Sequence, residues 1–502
     1  MTSPDHDSAR PKPVLLLVLD GIRPDVLRAA IREGEAPTLG ALAERGEAVW
    51  DAASVFPSIT PAATAAIVTG EHPAGSGIYG HAWYNEAEDR MVIYGAMTET
   101  VITSGPLQVL HNNVWRMNRD DLYADTLFKT LHEIGVEGAC VNFPIRRGPY
   151  RHRVRMRTLE GVANVGELLD TTVSGPREYY MGDLFYSRDL GLHGRKGSGG
   201  LRRQAGINDE YAAKVGAALL KERAEPFTLV YLFEGDSLAH HEGLSAQRRY
   251  VGTLDGYVKE MLEAGGGVDR VLDEYAVLVI SDHGHTPLLT EKRYVRLDGV
   301  LGERTAIGAR VRLRPRVDVL AVPNGRAALL YLNGGANRLR VIEDLLGRRG
   351  VDLAAHEDAG WVVVRKPGRE LRFRPGAGPQ DPAGRPWELV GDTGILDLRF
   401  SEGWLGYGDY PDALERLWGS VRSPRAGNVV LSASPGYTFG EVNGNFHKQS
   451  DHGSLHAADS NVFSIGLGLP APRRITDVAP TLLAHVGAGT AGGAKVAEDL
   501  VR

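Results

Sequence analysis

Six consecutive apolar residues, Val14–Leu19 (VLLLVL), end abruptly at Asp20. A run with no polar alternation fits a strand covered on both faces, as in a parallel sheet. Similar runs recur at Gly138–Phe143, Phe227–Phe233 and Tyr275–Ser281. Between them the pattern changes to that of helices, from Pro24 to about Arg32 and over Thr38–Arg45, Ala62–Thr69, Leu122–Ile134, Asp209–Arg223 and Ser245–Ala264. Strands alternating with helices predict an α/β fold with a mostly parallel central sheet flanked by helices.

Two stretches break that rhythm. Residues 144–201 are rich in Arg, Gly and Tyr and end in GRKGSGG, which predicts a loop-rich insertion. From about Leu288 to Gly427, short β-like runs (Arg310–Arg316, Ala327–Leu332, Trp361–Arg365, Glu370–Arg374) surround one helix near Arg338–Leu346. The expected division is a core of residues 12–287 and 428–502 with a smaller inserted α+β cap at 288–427. The core is expected to resume with Val429–Leu431, continue through Asn461–Gly466 and close with a helix near Val478–Val486. There is no internal repeat and no sustained heptad pattern.

Charge and composition narrow the classes. Against 63 acidic residues stand 57 basic ones, so a polycationic nucleic-acid binder is not indicated, and no recognition-helix module is evident. The single Cys140 excludes an intrachain disulfide and a cysteine-rich zinc module. The polar, proline-broken start (MTSPDHDSARPKP) and the short run behind it fit neither a signal peptide nor a membrane span, so the expected location is cytoplasmic, with no membrane partner. A homodimer is the default expectation for a soluble chain of this kind.

The apolar runs end repeatedly in acids and histidines. Asp20 follows VLLLVL; Asp236 and His240 follow TLVYLFEG; Asp282, His283 and His285 follow AVLVIS; His452 lies in QSDHGS ahead of the late strand. In open α/β sheets the carboxyl ends of the strands form the ligand crevice. Any one such residue fits a solvated loop. Four clusters at one edge would concentrate carboxylate charge, which a pair of divalent metal ions relieves, with Asp and neutral His as ligands. Thr60 precedes Pro61 at the start of a helix and fits a plain N-cap. The same position also suits a nucleophile facing a phosphoryl group at the positive helix end. Ser58 and Thr64 are weaker candidates.

These segments together carry a resemblance. LVLDGIRPD (Leu17–Asp25), FPSITP…IVTGEHPAGSGIYG (Phe56–Gly80), GDSLAHHEG (Gly235–Gly243), SDHGHT (Ser281–Thr286) and DHGS (Asp451–Ser454) resemble, in order, the alkaline phosphatase superfamily. The nearest branch is the nucleotide pyrophosphatase/phosphodiesterases, with phosphonoacetate hydrolase as a relative. The resemblance implies an alkaline-phosphatase-like sandwich and two divalent metal ions, zinc first, with manganese or iron fitting the same ligands. It implies one metal site at Asp20, Thr60, Asp282 and His283, and another at Asp236, His240 and His452. It also implies phosphodiester or pyrophosphate hydrolysis of a small substrate through a phosphothreonine on Thr60. His241 and His285 are additional histidines beside those positions and candidates for contacting the substrate, His456 is a competing ligand candidate four residues after His452, and Asp451 is a neighbour more than a ligand.

One departure bears on substrate. Where the phosphodiesterase branch carries an Asn about 21 residues beyond the nucleophile, this chain has His81 (GIYGHAWYN). His81 is a candidate for contacting the phosphoryl group or assisting the leaving group, and Asn85 is a candidate to replace the missing amide. Arg146 and Arg147 are candidates for a second anionic group; Phe56, Trp83, Tyr84, Trp115 and Tyr150 are candidates for an aromatic wall. A phosphomonoesterase or phosphonate hydrolase of the same superfamily is the alternative reading, and a metal-stabilised binding protein or pseudoenzyme is the non-enzymatic one. A sulfatase needs Cys/Ser-x-Pro-x-Arg, which Cys140 in GACVNFP does not provide.

Overall fold

The computed structural model describes residues 11–95, 106–155, 172–196, 205–298, 305–307, 317–441 and 447–488. Its central sheet contains β1 (Val14–Leu19), β2 (Glu47–Ala53), β3 (Gly138–Val141), β4 (Glu178–Met181), β5 (Phe185–Tyr186), β6 (Phe227–Leu232), β7 (Ala276–Ile280) and β8 (Asn461–Leu467). The spatial order is β2-β8-β7-β1-β6-β3-β4-β5. Strands β7, β1, β6, β3 and β4 run parallel, while β8 is antiparallel to β7 and β2.

Strands β1, β6 and β7 are buried along their whole length, which is why their sequences show no alternation. Leu15, Leu17 and Leu19 face one core with the helices Pro24–Arg32, Asp209–Glu222 and Leu244–Ala264. Val14, Leu16 and Val18 face another, which includes the helix Thr60–Thr69. That helix (TPAATAAIVT) is buried through Val68, so it has no polar stripe. Cys140 lies inside β3, where burial pushes its thiol up to about 12 and leaves it unreactive.

Several expected elements shift. The helix expected from Leu122 begins at Leu127, where the Thr126 side chain caps it by accepting from the Lys129 N–H. Ahead of it, Asn112–Asp121 forms a π-helical stretch that no sequence pattern announced. The stretch 144–201 is more than a loop-rich insertion, because β4 and β5 fall within it and extend the central sheet. Residues 156–171 of that stretch, and the β-like run Arg310–Arg316, lie outside the described residues.

The second layer differs most from expectation. It is an eleven-stranded sheet, larger in strand number than the central one. Its strands Val319–Gly325, Ala327–Leu332 and Val351–Asp358 contribute to the same hydrophobic core as β1, so it is packed on the central sheet over a shared interior. Val429–Ala433, expected to return to the central sheet, instead pairs antiparallel with Ala327–Leu332 and Val351–Asp358. Its run VVLSA encodes burial on both faces, and burial alone does not name the pairing partner. Among the described residues no helix is long and apolar enough to cross a membrane.

Candidate metal centre

The carboxyl ends of the parallel strands converge on one cluster of acids and imidazoles. Asp20 directly follows β1, and Asp282 and His283 follow β7 by one and two residues beyond Ser281. After β6 the chain turns into the helix Glu234–Glu242, which carries Asp236 and His240 four residues apart on one face. Because β8 is antiparallel, the loop leading into it arrives at the same edge and brings His452. A two-residue antiparallel pairing of Thr286–Pro287 with Ser450–Asp451 ties that loop to the one after β7.

Two groups result. In the first, His283 Nε2 lies 3.3 Å from Asp20 Oδ1, 3.6 Å from Asp282 Oδ2 and 3.0 Å from Thr60 Oγ1. In the second, Asp236 Oδ1 lies 3.3 Å from His240 Nε2 and 3.5 Å from His452 Nε2. Thr60 is not the N-cap expected from sequence: Ile59 holds that position, Thr60 is the first residue of the helix, and its hydroxyl lies against His283 Nε2. The weaker hydroxyl candidates are occupied: Ser58 donates to the Ser454 carbonyl and Thr64 to the Thr60 carbonyl.

The donor set fits divalent cations. Asp20 Oδ1 and Asp282 Oδ2 are buried without a hydrogen-bond partner, while Asp282 Oδ1 accepts from the Gly21 and His283 N–H groups and Asp20 Oδ2 from the Tyr231 hydroxyl. Each imidazole is held by its other nitrogen on a carbonyl oxygen, which can only accept: His240 Nδ1 on Ser450, His283 Nδ1 on Gly284, His452 Nδ1 on Ser58. This fixes the Nε2 atoms as the ones presented to the cluster, the orientation that backbone partners impose on ligand histidines.

Electrostatics agree. Burial drives the Asp282 carboxyl well above its usual range, and the charge of Asp20 adds to the effect. Burial also resists the charging of His283, yet Asp282 and Asp20 raise it to about 10, so a proton there balances the carboxylates. Burial resists ionisation of Asp236 as well, but His240 beside it holds it well below the usual range. Burial lowers His285 to about 3, and burial with the nearby His283 charge lowers His452 strongly.

Other expected residues fall differently. His81 belongs to neither group; its electrostatic influence reaches Glu441. Asn85 spends its amide on the turn at Ala87 and Glu88. Arg146 and Arg147 grip backbone carbonyls, Arg146 those of Pro144 and Val114, Arg147 those of Leu122 and Ala124. Phe56, Trp83 and Tyr84 are core residues. Trp115 donates to the Thr172 carbonyl and Tyr150 to Glu137. His456 caps the short helix Ala457–Ser460, and His241 is exposed. Asp451 spends its oxygens on the His452 N–H and the Thr438 hydroxyl.

Two residues at the site were not singled out from sequence. His447 stacks on His240 with ring centroids 3.6 Å apart, and its Nε2 lies 3.5 Å from Glu441 Oε1. Against the effect of burial, Asp451 and Glu441 raise His447 to about 9. The only sequence signal was a histidine five residues ahead of His452. Tyr231, whose hydroxyl holds Asp20, hides inside an apolar strand.

A parallel sheet carrying an Asp/His set at its carboxyl ends, with a threonine at a facing helix start, defines an alkaline-phosphatase-like fold. The chain belongs to the type I phosphodiesterase/nucleotide pyrophosphatase family, whose model matches residues 14–382. Phosphonoacetate hydrolase from Sinorhizobium meliloti 1021, solved with phosphonoformate, superposes with a TM-score of 0.55 at 20% identity, covering 95% of this chain and 96% of that one. Mouse ectonucleotide pyrophosphatase/phosphodiesterase 5 gives a TM-score of 0.55 at 15% identity and 95% coverage of both chains. That mouse protein has also been solved as an inactive threonine-to-alanine variant in complex with AMP. No protein of curated function matches the chain in sequence.

Proposed function

We propose that the protein hydrolyses small phosphate diesters or pyrophosphates by a two-step transfer through Thr60, at a site built for two divalent metal ions, zinc by preference. The observation that carries this is the position of Thr60 Oγ1, at the first residue of its helix and 3.0 Å from His283 Nε2. Asp20, Asp282, His283 and Thr60 would hold one ion, and Asp236, His240 and His452 the other. Bound ions would supply positive charge to the attacking and leaving oxygens and ease deprotonation of the threonine hydroxyl.

The chain's own residues do the rest. Thr60 Oγ1 forms the new P–O bond as the first ester oxygen departs in line, giving a phosphothreonyl ester. Water then enters from the side the leaving group vacated and returns the threonine oxygen. The N-terminus of the Thr60–Thr69 helix supplies its positive end to the transferring oxygens. Tyr231, whose hydroxyl holds Asp20, borders a cavity of about 70 Å³ lined by Leu184, Phe185 and Phe233 together with Asn142 and Arg146, which offers room for part of the leaving group.

The test is hydrolysis of a p-nitrophenyl phosphodiester and the matching monoester by zinc-loaded enzyme, with Thr60→Ala alongside. Preference for the diester, lost in the variant, is the expected result. Preference for the monoester assigns His81 to a different substrate class, and cleavage of neither overturns the reading.

A further inference from the structure

His285 stands where the resemblance provided no role, yet it is fully buried and reaches into the second group. Its Nε2 lies 2.9 Å from Asp236 Oδ1, and its Nδ1 lies 3.2 Å from Ser450 Oγ. The Ser450 hydroxyl settles which nitrogen carries the proton. A hydroxyl has one proton to give. Ser450 gives it to the Ala239 carbonyl at 2.6 Å, and that carbonyl can only accept. At Ser450 Oγ, therefore, His285 Nδ1 is the donor. A neutral imidazole with Nδ1 protonated presents only a lone pair at Nε2.

That lone pair faces a carboxylate oxygen at hydrogen-bonding distance with no proton between them. The contact between His240 and His452 has the same form: both rings donate from Nδ1 to carbonyls, and their Nε2 atoms meet at 3.1 Å. Two facing acceptors repel unless a cation lies between them. Asp236, His240 and His285 form one set of mutually close donor atoms, and His452 Nε2 adjoins it, 3.5 Å from Asp236 Oδ1 and 3.1 Å from His240 Nε2.

We propose that His285 is a direct ligand of the second ion, so that this site is Asp236, His240, His285 and His452. The inference rests on the reading that the cluster holds metal. Four ligands about 2.05 Å from a tetrahedral zinc stand about 3.3 Å from one another. The separations involving Asp236 Oδ1 are 2.9, 3.3 and 3.5 Å, and His240 and His452 stand 3.1 Å apart. The backbone is shaped to admit the fourth ligand. Gly21 has φ +65°, and a Cβ there would lie 2.7 Å from His285 Nε2 and 3.0 Å from Asp236 Cβ. Any side chain at position 21 would push His285 out of the group. One carboxylate and three neutral imidazoles would leave the second ion positively charged, where the two carboxylates of the first group cancel the charge of theirs.

The test uses wild-type protein labelled with ¹⁵N in its histidine rings, stripped of metal and reloaded with ¹¹³Cd. The expected spectrum has two bound cadmium signals, one split by three imidazole nitrogens and the other by one. Splitting by two and one, with the His285 nitrogens uncoupled, overturns the proposal and leaves the underlying metal reading intact. Failure to take up two cadmium ions overturns both. In His285→Gln, chelator competition should show one zinc ion weakened beyond the roughly 10–100-fold that loss of a partner outside the coordination sphere costs. Unchanged affinity at both ions contradicts the proposal.

Discussion

Arg326, on the hairpin of the second sheet, and Asp459, in the short helix Ala457–Ser460 just ahead of β8, form an ion pair at 2.6 Å with neither side chain exposed. Asp459 also accepts from the Ser454 N–H and the Thr286 hydroxyl, and the Arg326 N–H donates to the His452 carbonyl. The pair thus joins the second sheet to both loops that carry site histidines.

Removing one partner leaves the other charge buried and unpaired, which costs about 3–5 kcal/mol. Arg326→Met is therefore expected to lose stability of that order in urea unfolding. The Arg326 guanidinium also donates to the Thr286 hydroxyl on the loop after β7, so the variant's affinity for metal should fall as well, measured by chelator competition. A variant with unchanged stability would show that the pair does not hold the two layers together.

Thr60→Ala should reduce kcat by at least about a thousandfold, the scale seen when a nucleophile is lost. Thr60→Ser keeps the hydroxyl and should retain part of the activity. Two ions should still bind Thr60→Ala, since Asp20, Asp282 and His283 remain, and metal analysis of the purified variant checks this.

Chelation should abolish activity and lower the thermal midpoint, with zinc restoring both. The buried oxygens Asp20 Oδ1 and Asp282 Oδ2 have no hydrogen-bond partner to replace a cation. A ligand at a thousand times its Kd stabilises by about 4 kcal/mol. Calorimetry with and without zinc measures the difference.

Asp209 supplies a pH effect away from the cluster. Burial and the charge of Glu234 raise its carboxyl to about 7. In the folded state it thus holds its proton over a range where the unfolded chain has released it. Stability from this group is present below about pH 4 and falls as pH rises through 7, by up to about 4 kcal/mol. Asp209→Asn should show a flatter fall of stability between pH 4 and 8 than the wild type. Parallel slopes in urea titrations would contradict the assignment.

The sequence made the acids of the site legible because buried parallel strands read as unbroken apolar runs, so Asp20, Asp236 and Asp282 mark where those runs end. It made Thr60 visible but not the direction of its hydroxyl, since a cap and a nucleophile share the same local signature. His285 was visible only as an extra histidine; its alignment depends on Ser450, 165 residues away. Arg326 and Tyr231 left no mark, because one sits at a hairpin and the other inside an apolar strand. Val429–Leu431 was read as a strand of the central core, but the strand Val429–Ala433 pairs in the second sheet, since its composition specifies burial and not partner.

Transfer through Thr60 in two in-line steps is tested most directly by the stereochemical course at phosphorus. A phosphorothioate diester of known configuration, hydrolysed by zinc-loaded enzyme in ¹⁸O-water, should give product with configuration retained, because two inversions cancel. Inversion would mean that water attacks the substrate directly and that Thr60 is not the nucleophile.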